Sequence, residues 1–234
     1  MIAIYKREMS SYFTTPIGYI FVAVFLAASG ALFAATTLFS MSSDTTSYFS
    51  YMLFLFVILL PLLTMKSFSE ERKQRTEQLV LTAPVTLVGM VLAKYLAALT
   101  LFVGCQLVAS LCFFILAGYA ELKVATILGS LFALLLVGAA FLAVGLFVSA
   151  LTENQLAAAV GTVGILLLFL LISVGNAYID SYVIRFLLNC LSVFSRFQNF
   201  TQGVFDVAGL VYYLSVTAVF LFLTVGIYDK RRYR

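Results

Sequence analysis

The chain contains no histidine and no tryptophan, and only three cysteines, three prolines and 24 charged residues occur among its 234 residues. Histidine is the commonest metal ligand and the usual general base at neutral pH, so we predict neither a metal site nor a catalytic residue. We interpret the three cysteines as small apolar packing residues. Charged residues make up 10% of the chain and hydrophobic residues 63%, whereas a soluble domain has about 25% charged residues. This composition indicates an integral membrane protein.

Six apolar runs are long enough, or nearly so, to cross a bilayer as helices, which takes about 20 residues each. No run alternates apolar and polar residues with a period of two, so the pattern does not favour a membrane β-barrel. We therefore predict an all-α polytopic membrane protein in which residues 1–234 form one transmembrane domain. We expect the first run to remain as a span, because it is longer than the apolar part of a signal peptide. The runs are Ile17–Phe39, Phe49–Met65, Leu87–Ala117, Val124–Leu151, Leu156–Val174 and Leu210–Tyr228.

Lysine and arginine are unevenly divided between the two sides of the membrane that six spans define. An even number of spans places both termini on one side, and membrane proteins concentrate positive residues on the cytoplasmic side. Eleven basic residues fall on the side of the termini and three on the other, so we predict cytoplasmic termini. The eleven are Lys6, Arg7, Lys66, Arg72, Lys73, Arg75, Lys94, Lys230, Arg231, Arg232 and Arg234, and the three are Lys123, Arg185 and Arg196.

The N-terminal residues 1–16 precede the first span and mix apolar with charged residues. Tyr5 is followed by Lys6, Arg7 and Glu8, and apolar residues stand on both sides of this group. The pattern predicts a short helix lying in the cytoplasmic interface of the membrane. An ordinary juxtamembrane anchor is the alternative.

Residues 175–209, between the fifth and sixth spans, are too polar for a plain span and too apolar for a plain loop. Asp180, Arg185, Arg196 and Asp206 interrupt a sequence rich in leucine, valine and phenylalanine. We predict one or two amphipathic helices that dip into the outer leaflet and act as a gate-like segment. Irregular backbone at that depth must be covered by protein or line an aqueous cavity. A passive interfacial helix is the alternative.

The loop between the second and third spans, residues 66–86, concentrates charge in a chain that otherwise avoids it. Seven of the 24 charged residues lie between Lys66 and Glu77. Glu71 and Arg75 are four residues apart, as are Lys73 and Glu77, and such pairs support a solvated helix. Both signs of charge together with apolar residues such as Leu79 favour a surface that docks another protein. A solvated loop that only sets topology is the alternative.

Small residues recur at a spacing of four in the fourth and fifth spans. The pairs are Gly145 and Ser149, Ala139 and Ala143, and Ala157 and Gly161. This spacing lets helices approach closely. It is compatible with packing inside one subunit and with a seam between two copies.

At the sequence EERKQRTEQLVLTAPVT, within this loop, the chain resembles the permease subunits of type-2 ABC exporters, the drug and polysaccharide export class. The shared motif is an acidic stretch, a basic residue, Thr-x-x-Leu, and a small residue before Pro-Val. The gliding-motility type of permease is the subgroup that the chain resembles most. The layout of an N-terminal helix, six spans and an outer helical segment is similar over essentially the whole chain. Arg75 departs from the pattern, since many members have glycine before the threonine.

The resemblance implies that residues 66–86 form a coupling helix, which transmits the closure of a separate ATPase dimer to the spans. The second cytoplasmic turn, residues 151–155, would make a smaller contact with the ATPase through two polar residues. Pro84 would set the angle at which the chain leaves the coupling helix. The implied contact residues are Glu70, Glu71, Arg72, Arg75, Thr76, Glu77, Leu79, Glu153 and Asn154.

The resemblance also implies the partners of the chain. We expect two ABC ATPase subunits, a second permease copy or paralogue, the lipid bilayer of a bacterial cell membrane, and no nucleic acid. An accessory protein with a large extracytoplasmic domain is a further expected partner. The chain contains no G-x-x-x-x-G-K-[ST] phosphate-binding sequence, so we expect ATP and Mg²⁺ to bind to the partner ATPase rather than to this chain.

Two other functions compete with the transporter subunit. A self-sufficient secondary transporter or channel would show polar ligands at mid-membrane or paired inverted repeats, and neither is visible. A membrane-embedded enzyme would need a nucleophile or metal constellation; there is no G-x-S-x-G sequence, and no serine is visibly placed for Lys94, a lysine near the membrane. The substrate and the direction of transport do not follow from the residues.

Overall fold

The protein is described by a computed structural model that covers residues 1–40, 45–74, 86–118, 124–175, 192–203 and 206–232. Within these ranges the regular structure is helical, and we number its ten α-helices in chain order. A π-helical turn, Ala34–Leu38, continues the second of them. The helices are α1 Ile2–Thr14, α2 Pro16–Phe33, α3 Thr46–Thr64, α4 Ser69–Lys73, α5 Leu87–Ser110, α6 Cys112–Ala117, α7 Val124–Leu151, α8 Gln155–Gly175, α9 Val193–Thr201 and α10 Val207–Arg232.

Within the described ranges, six helical segments are long and apolar enough to cross a membrane, which confirms the predicted all-α polytopic fold. The second segment is longer than its apolar run, because it begins at Thr46 and continues past α3 to the end of α4 at Lys73. Helix α3 itself remains continuous through Pro61. The six segments are Pro16–Leu38, Thr46–Lys73, Leu87–Leu116, Val124–Leu151, Gln155–Ser173 and Val207–Arg232.

Helix α7 forms the centre of the bundle and is buried along most of its length. Its small residues allow this position, as Gly145 shows. A Cβ atom at Gly145 would lie 2.2 Å from Thr64 Oγ1 and 2.9 Å from Thr64 Cβ on α3. One turn further along α7, Ser149 also contacts the end of α3, since its hydroxyl donates to the Met65 carbonyl. The Gly145 and Ser149 pair therefore serves packing inside one chain.

Aromatic side chains hold α2, α3 and α5 together across the bundle. Phe56 lies 5.2 Å from Phe102 and 6.0 Å from Phe25 between ring centroids. Aromatic contacts of this kind add about 0.5–1.5 kcal/mol each beyond the area that they bury. Between α2 and α3, the Ser29 and Tyr48 hydroxyls are 2.8 Å apart, so a hydrogen bond satisfies both buried groups.

Helix α9 runs along α7 with its first residues deepest in the bundle. At its far end, Gly203 lies close to Thr126, near the start of α7. At its beginning, the Phe194 ring is 6.1 Å from that of Phe141, about 22 Å further along α7. The Tyr213 hydroxyl of α10 donates to the Val193 carbonyl at 2.6 Å. The described part of residues 175–209 therefore contains a helix that dips along the bundle.

Four parts of the chain meet at one end of the bundle, which we call the charged end. Arg72, after α3, donates to the Leu151 carbonyl at the end of α7. Arg231, in the last turn of α10, donates to the neighbouring Ala150 carbonyl. The fourth part is α1, the helix Ile2–Thr14 at the predicted N-terminal position. It lies along α5.

The corner between α1 and α2 depends on a glycine. A Cβ atom at Gly18 would lie 2.1 Å from the Tyr12 carbonyl oxygen and 2.8 Å from its carbonyl carbon. Backbone atoms cannot move aside as the end of a flexible side chain can. Thr15 breaks the helix with extended backbone angles, and Pro16 begins α2, a position that suits its fixed φ.

Replacement of Gly18 by alanine is expected to open this corner and to lower the free energy of unfolding by about 1–3 kcal/mol. The matched control is Gly30→Ala in the same helix, because among the described residues no atom beyond that helix lies within 4 Å of a Cβ placed there. Alanine at Gly30 should be neutral or stabilising by up to about 1 kcal/mol. Thermal unfolding of the purified full-length variants in one detergent measures both, and equal midpoints would contradict the prediction.

Candidate functional site

The charged end is built around residues 66–74, which we call the charged segment. The chain turns after Thr64, and the short helix α4 follows with Glu70 and Glu71 in its first turn and two basic residues in its last. This order matches the helix dipole, which favours negative charge at the N-terminus and positive charge at the C-terminus. Lys66 pairs with Glu70 at 3.1 Å, four residues away.

Lys94, on α5, lies at the centre of this end with 1% of its side chain exposed. Its ammonium nitrogen is 3.1 Å from Glu8 Oε1 on α1 and 3.0 Å from Glu71 Oε1 on the charged segment. The same nitrogen donates to the Ser67 carbonyl at 2.6 Å. These three acceptors match the three donors of an ammonium group. A buried charge is tolerated when it is paired and hydrogen-bonded in this way.

Arg7 completes a cluster of two cations and two carboxylates. Its Nη2 atom is 2.6 Å from Glu71 Oε1 and 2.9 Å from Glu8 Oε1. The side chain of Arg7 is 52% exposed, so the cluster extends from solvent at Arg7 to the interior at Lys94. We call Arg7, Glu8, Glu71 and Lys94 the ion-pair cluster. Removing one partner of a buried pair typically costs about 3–5 kcal/mol, because the other charge is left unpaired.

An aromatic stack links the ion-pair cluster to α10. The buried Phe68 ring has the Lys94 ammonium 4.9 Å from its centroid. The Tyr228 ring of α10 packs against Phe68 at 5.0 Å between centroids. The Arg231 guanidinium lies 5.3 Å from the Tyr228 centroid and also donates to the Ala150 carbonyl at 2.7 Å. The charged segment therefore contacts α10 as well as α1 and α5.

Tyr12, on α1, provides a second link between that helix and the charged segment. Its hydroxyl lies 3.4 Å from both the Leu63 carbonyl and the Ser67 hydroxyl. Burial raises the pKa of Tyr12 to about 12. The phenol is therefore neutral at physiological pH and remains able to donate a hydrogen bond.

Ser149, on α7, binds the backbone at the start of α4. Its hydroxyl accepts from the Phe68 amide at 3.1 Å and from the Ser69 amide at 3.2 Å. The first amides of a helix have no partner within the helix. α4 has no capping side chain of its own, and Ser149 supplies that cap from another helix.

Arg72 connects the charged segment to the second turn, residues 151–155. Its Nη1 atom donates to the Leu151 carbonyl at 2.9 Å, and its Nη2 atom is 2.8 Å from Glu153 Oε1. The Glu153 side chain is 66% exposed, so this ion pair contributes little to stability. Asn154 caps α8, because its side-chain oxygen accepts from the Leu156 amide at 3.0 Å.

A cleft of about 500 Å³ opens between α1 and the charged segment. Three basic and three acidic residues line it, so its formal charge is balanced. The charged lining residues are Arg7, Glu8, Lys66, Glu70, Glu71 and Lys94, and the uncharged ones are Ser11, Tyr12, Thr15, Ser67 and Gln74.

A second polar group lies where α9 meets α10. Asp206 caps α10, with one oxygen accepting from the Ala208 amide and the other from the Asn199 side chain. The hydrogen bond from Asn199, and that from the Gly209 backbone, lower the pKa of Asp206. The Arg196 guanidinium lies 4.5 Å from the Tyr212 ring centroid and donates to the Ala208 carbonyl. Arg196 and Asp206 thus belong to one corner.

Several predicted site residues fall outside the described ranges. They are Arg75, Thr76, Glu77, Leu79 and Pro84 of the predicted coupling helix, and Asp180 and Arg185 of the predicted outer gate.

The remaining predicted residues of the charged end are described. Glu70 accepts from Gln74 at 3.2 Å and pairs with Lys66. Tyr5 donates to the Thr100 hydroxyl at 3.1 Å, and Lys6 is exposed. Glu71, predicted as an ATPase contact, binds Arg7 and Lys94 within the chain.

Four residues at the centre of the site were not predicted. Phe68, Ser149 and Tyr228 look like ordinary packing residues in the sequence. Lys94 carried one signal, since a lysine inside an apolar run requires a partner. Its partners are 86 and 23 residues away in the chain, and sequence spacing does not reveal such pairs.

A family model described as ABC-2 family transporter protein matches residues 4–232. This match covers the described helices from α1 to α10 almost completely. No curated protein matches the chain.

Replacement of Ser149 by alanine is expected to leave the Phe68 and Ser69 amides without their acceptor. A buried unsatisfied group costs about 1–3 kcal/mol, so the free energy of unfolding should fall by that amount or more. Ser110→Ala is the control, since the Ser110 hydroxyl donates to the Leu107 carbonyl of its own helix. The effect of this control on the free energy of unfolding should stay within about 0.5 kcal/mol. Denaturant unfolding in one detergent compares the two, and similar losses would contradict the assigned role of Ser149.

Proposed function

The chain belongs to the ABC-2 family of transporter proteins, and on this basis we propose that it is the membrane-spanning subunit that couples ATP hydrolysis by a separate ATPase to transport. Its six spans make it a multi-pass membrane protein. Membership of the family implies an ABC ATPase as partner. ATP and Mg²⁺ bind to that partner in this proposal.

The observation that carries the proposal is the set of contacts made by the charged segment. Residues 66–74 bind α1 and α5 through the ion-pair cluster, α7 through Ser149, and α10 through Phe68. A force applied to this segment by a soluble partner therefore reaches four helices besides α3. A loop that only set topology would not need these contacts.

The ATPase-contact surface combines the charged segment with the second turn. Glu70 and Arg72 lie on the first, and Glu153 and Asn154 on the second. The ion pair between Arg72 and Glu153 holds the two parts together at 2.8 Å. In the proposal, this surface continues through Arg75, Thr76, Glu77 and Leu79. Pro84 directs the chain back to α5, and Glu71 acts from inside the charged segment.

The charged end faces the cytoplasm in this proposal, and the membrane is the cell membrane of a bacterium. Eleven of the 14 basic residues fall on the side of the termini, which supports that orientation. A second permease copy or paralogue completes the membrane part of the complex. We further propose export as the direction, and the gliding-motility type as the subgroup, with an accessory extracytoplasmic protein.

The segment between α8 and α10 acts as a gate at the other end of the bundle in this proposal. The support is the position of α9, whose first turn lies beside Phe141 and Tyr213 rather than at the surface. The corner formed by Arg196 and Asp206 holds the far end of α9 against α10. Asp180 and Arg185 belong to the same proposed gate.

Purification of the tagged chain from its own cells in mild detergent tests the proposal, with mass spectrometry of the proteins that accompany it. We expect an ATPase with a G-x-x-x-x-G-K-[ST] sequence in stoichiometric amount. Charge reversal by Glu77→Arg or Arg75→Glu should reduce its capture about tenfold or more, a change of about 1.4 kcal/mol in binding.

The control for charge reversal is Lys123→Glu, because Lys123 is one of the three basic residues that the sequence assigns to the side opposite the termini. This variant should capture the ATPase as the unchanged chain does. Capture that survives both reversals but is lost in Lys123→Glu would contradict the proposed orientation and contact surface. Repeated recovery of the chain alone would favour a self-sufficient transporter or channel.

A further inference from the structure

We propose that Lys94 is a positioning residue that makes α1 move together with the charged segment when the ATPase acts on it. The inference rests on the proposed function, since it concerns how a load on the charged segment spreads. It assigns a specific role to the buried cation of the ion-pair cluster.

One nitrogen atom, Lys94 Nζ, joins three separate parts of the chain. Lys94 Nζ, on α5, binds Glu8 on α1 and both Glu71 and the Ser67 carbonyl on the charged segment. All three of its donors are used. If the charged segment moved away alone, the ammonium would lose two of its three acceptors.

The burial of Lys94 makes a separation of the charged segment from α1 unfavourable. Lys94 is 1% exposed, and water cannot readily replace the lost acceptors. An uncompensated buried charge is strongly destabilising, whereas exposed ion pairs exchange partners with water easily. Arg7 adds a direct bond of 2.6 Å between α1 and Glu71. Movement of α1 and the charged segment as one body keeps every one of these bonds.

Helix α1 is firmly attached on both sides of the ion-pair cluster. Toward its beginning, Tyr5 binds Thr100, about 9 Å beyond Lys94 along α5. Toward its end, Tyr12 lies beside Leu63 and Ser67, and the tight corner at Gly18 joins α1 to α2. A displacement of α1 is therefore passed to α2, the first span, as well as to α5.

Hydrogen exchange of the purified complex with its ATPase tests the inference, measured with and without a non-hydrolysable ATP analogue. In the unchanged complex, the analogue should alter exchange both in residues 66–74 and in residues 2–14. In Lys94→Met the response of residues 66–74 should persist, while the response of residues 2–14 is weakened, because among the described residues only the Arg7 and Tyr12 contacts then join α1 to the charged segment. Lys94→Arg keeps the charge and should retain both responses.

Two further variants keep the test decisive. Glu8→Gln removes the carboxylate charge that pairs α1 with Lys94 but leaves the Glu71 pair, so it should weaken the α1 response even if Lys94→Met does not fold. Lys6→Met is the matched control, because Lys6 is an exposed lysine of α1 outside the ion-pair cluster. This control should retain both responses.

The outcomes separate this inference from the proposed function. A response in residues 66–74 without one in residues 2–14 of the unchanged complex would overturn the role of Lys94 and leave the proposed function intact. An α1 response that stays at full size in both Glu8→Gln and Lys94→Met would also overturn it. No response in either region would remove the proposed coupling site itself, and this inference with it.

Discussion

Burying the ammonium group of Lys94 in an apolar bundle is the constraint on which the charged end depends. The group needs acceptors on every side, and α5 cannot provide them, because its carbonyls are used within the helix. The acceptors come from Glu8, Glu71 and Ser67, which belong to two other parts of the chain. Satisfying one charge therefore determines where α1 and the charged segment lie.

The same constraint explains why the charged segment is ordered beneath a membrane bundle. Surface ion pairs such as the one between Arg72 and Glu153 contribute about 0–1 kcal/mol and would not hold a loop in place by themselves. The buried contacts of Phe68, the hydrogen bonds from Ser149 and the pairing of Lys94 act together. The partly exposed charges of Glu70 and Arg72 are then presented on a firm base, which a docking surface requires.

Hydropathy was sufficient to predict the six spans, because the need to cover about 30 Å of hydrocarbon leaves a direct trace in composition. The mixed residues of α1 likewise predicted a helix before the first span. The site was less accessible. Glu71 was predicted to support its own helix through Arg75 and to face the ATPase, and Arg75 lies outside the described residues. The pairs of Glu71 with Arg7 and Lys94 join parts of the chain that sequence spacing does not relate. Ser149 looked like a spacing residue, and its role as a cap depends on a close approach that only the packed bundle reveals.

The wide separation of the cluster in the chain has a consequence for how the protein is made. Arg7, Glu8 and Glu71 are synthesised before Lys94, so the carboxylates of α1 and the charged segment exist for a time without that cation. A lysine at the centre of a membrane helix opposes insertion by about 2.5–3.5 kcal/mol, and Lys94, near the end of its span, opposes it by less. The carboxylates of Glu8 and Glu71, which are already present at the same end, reduce that cost as the third span enters the membrane. The order of residues along the chain thus assists the biogenesis of the span that carries the buried charge.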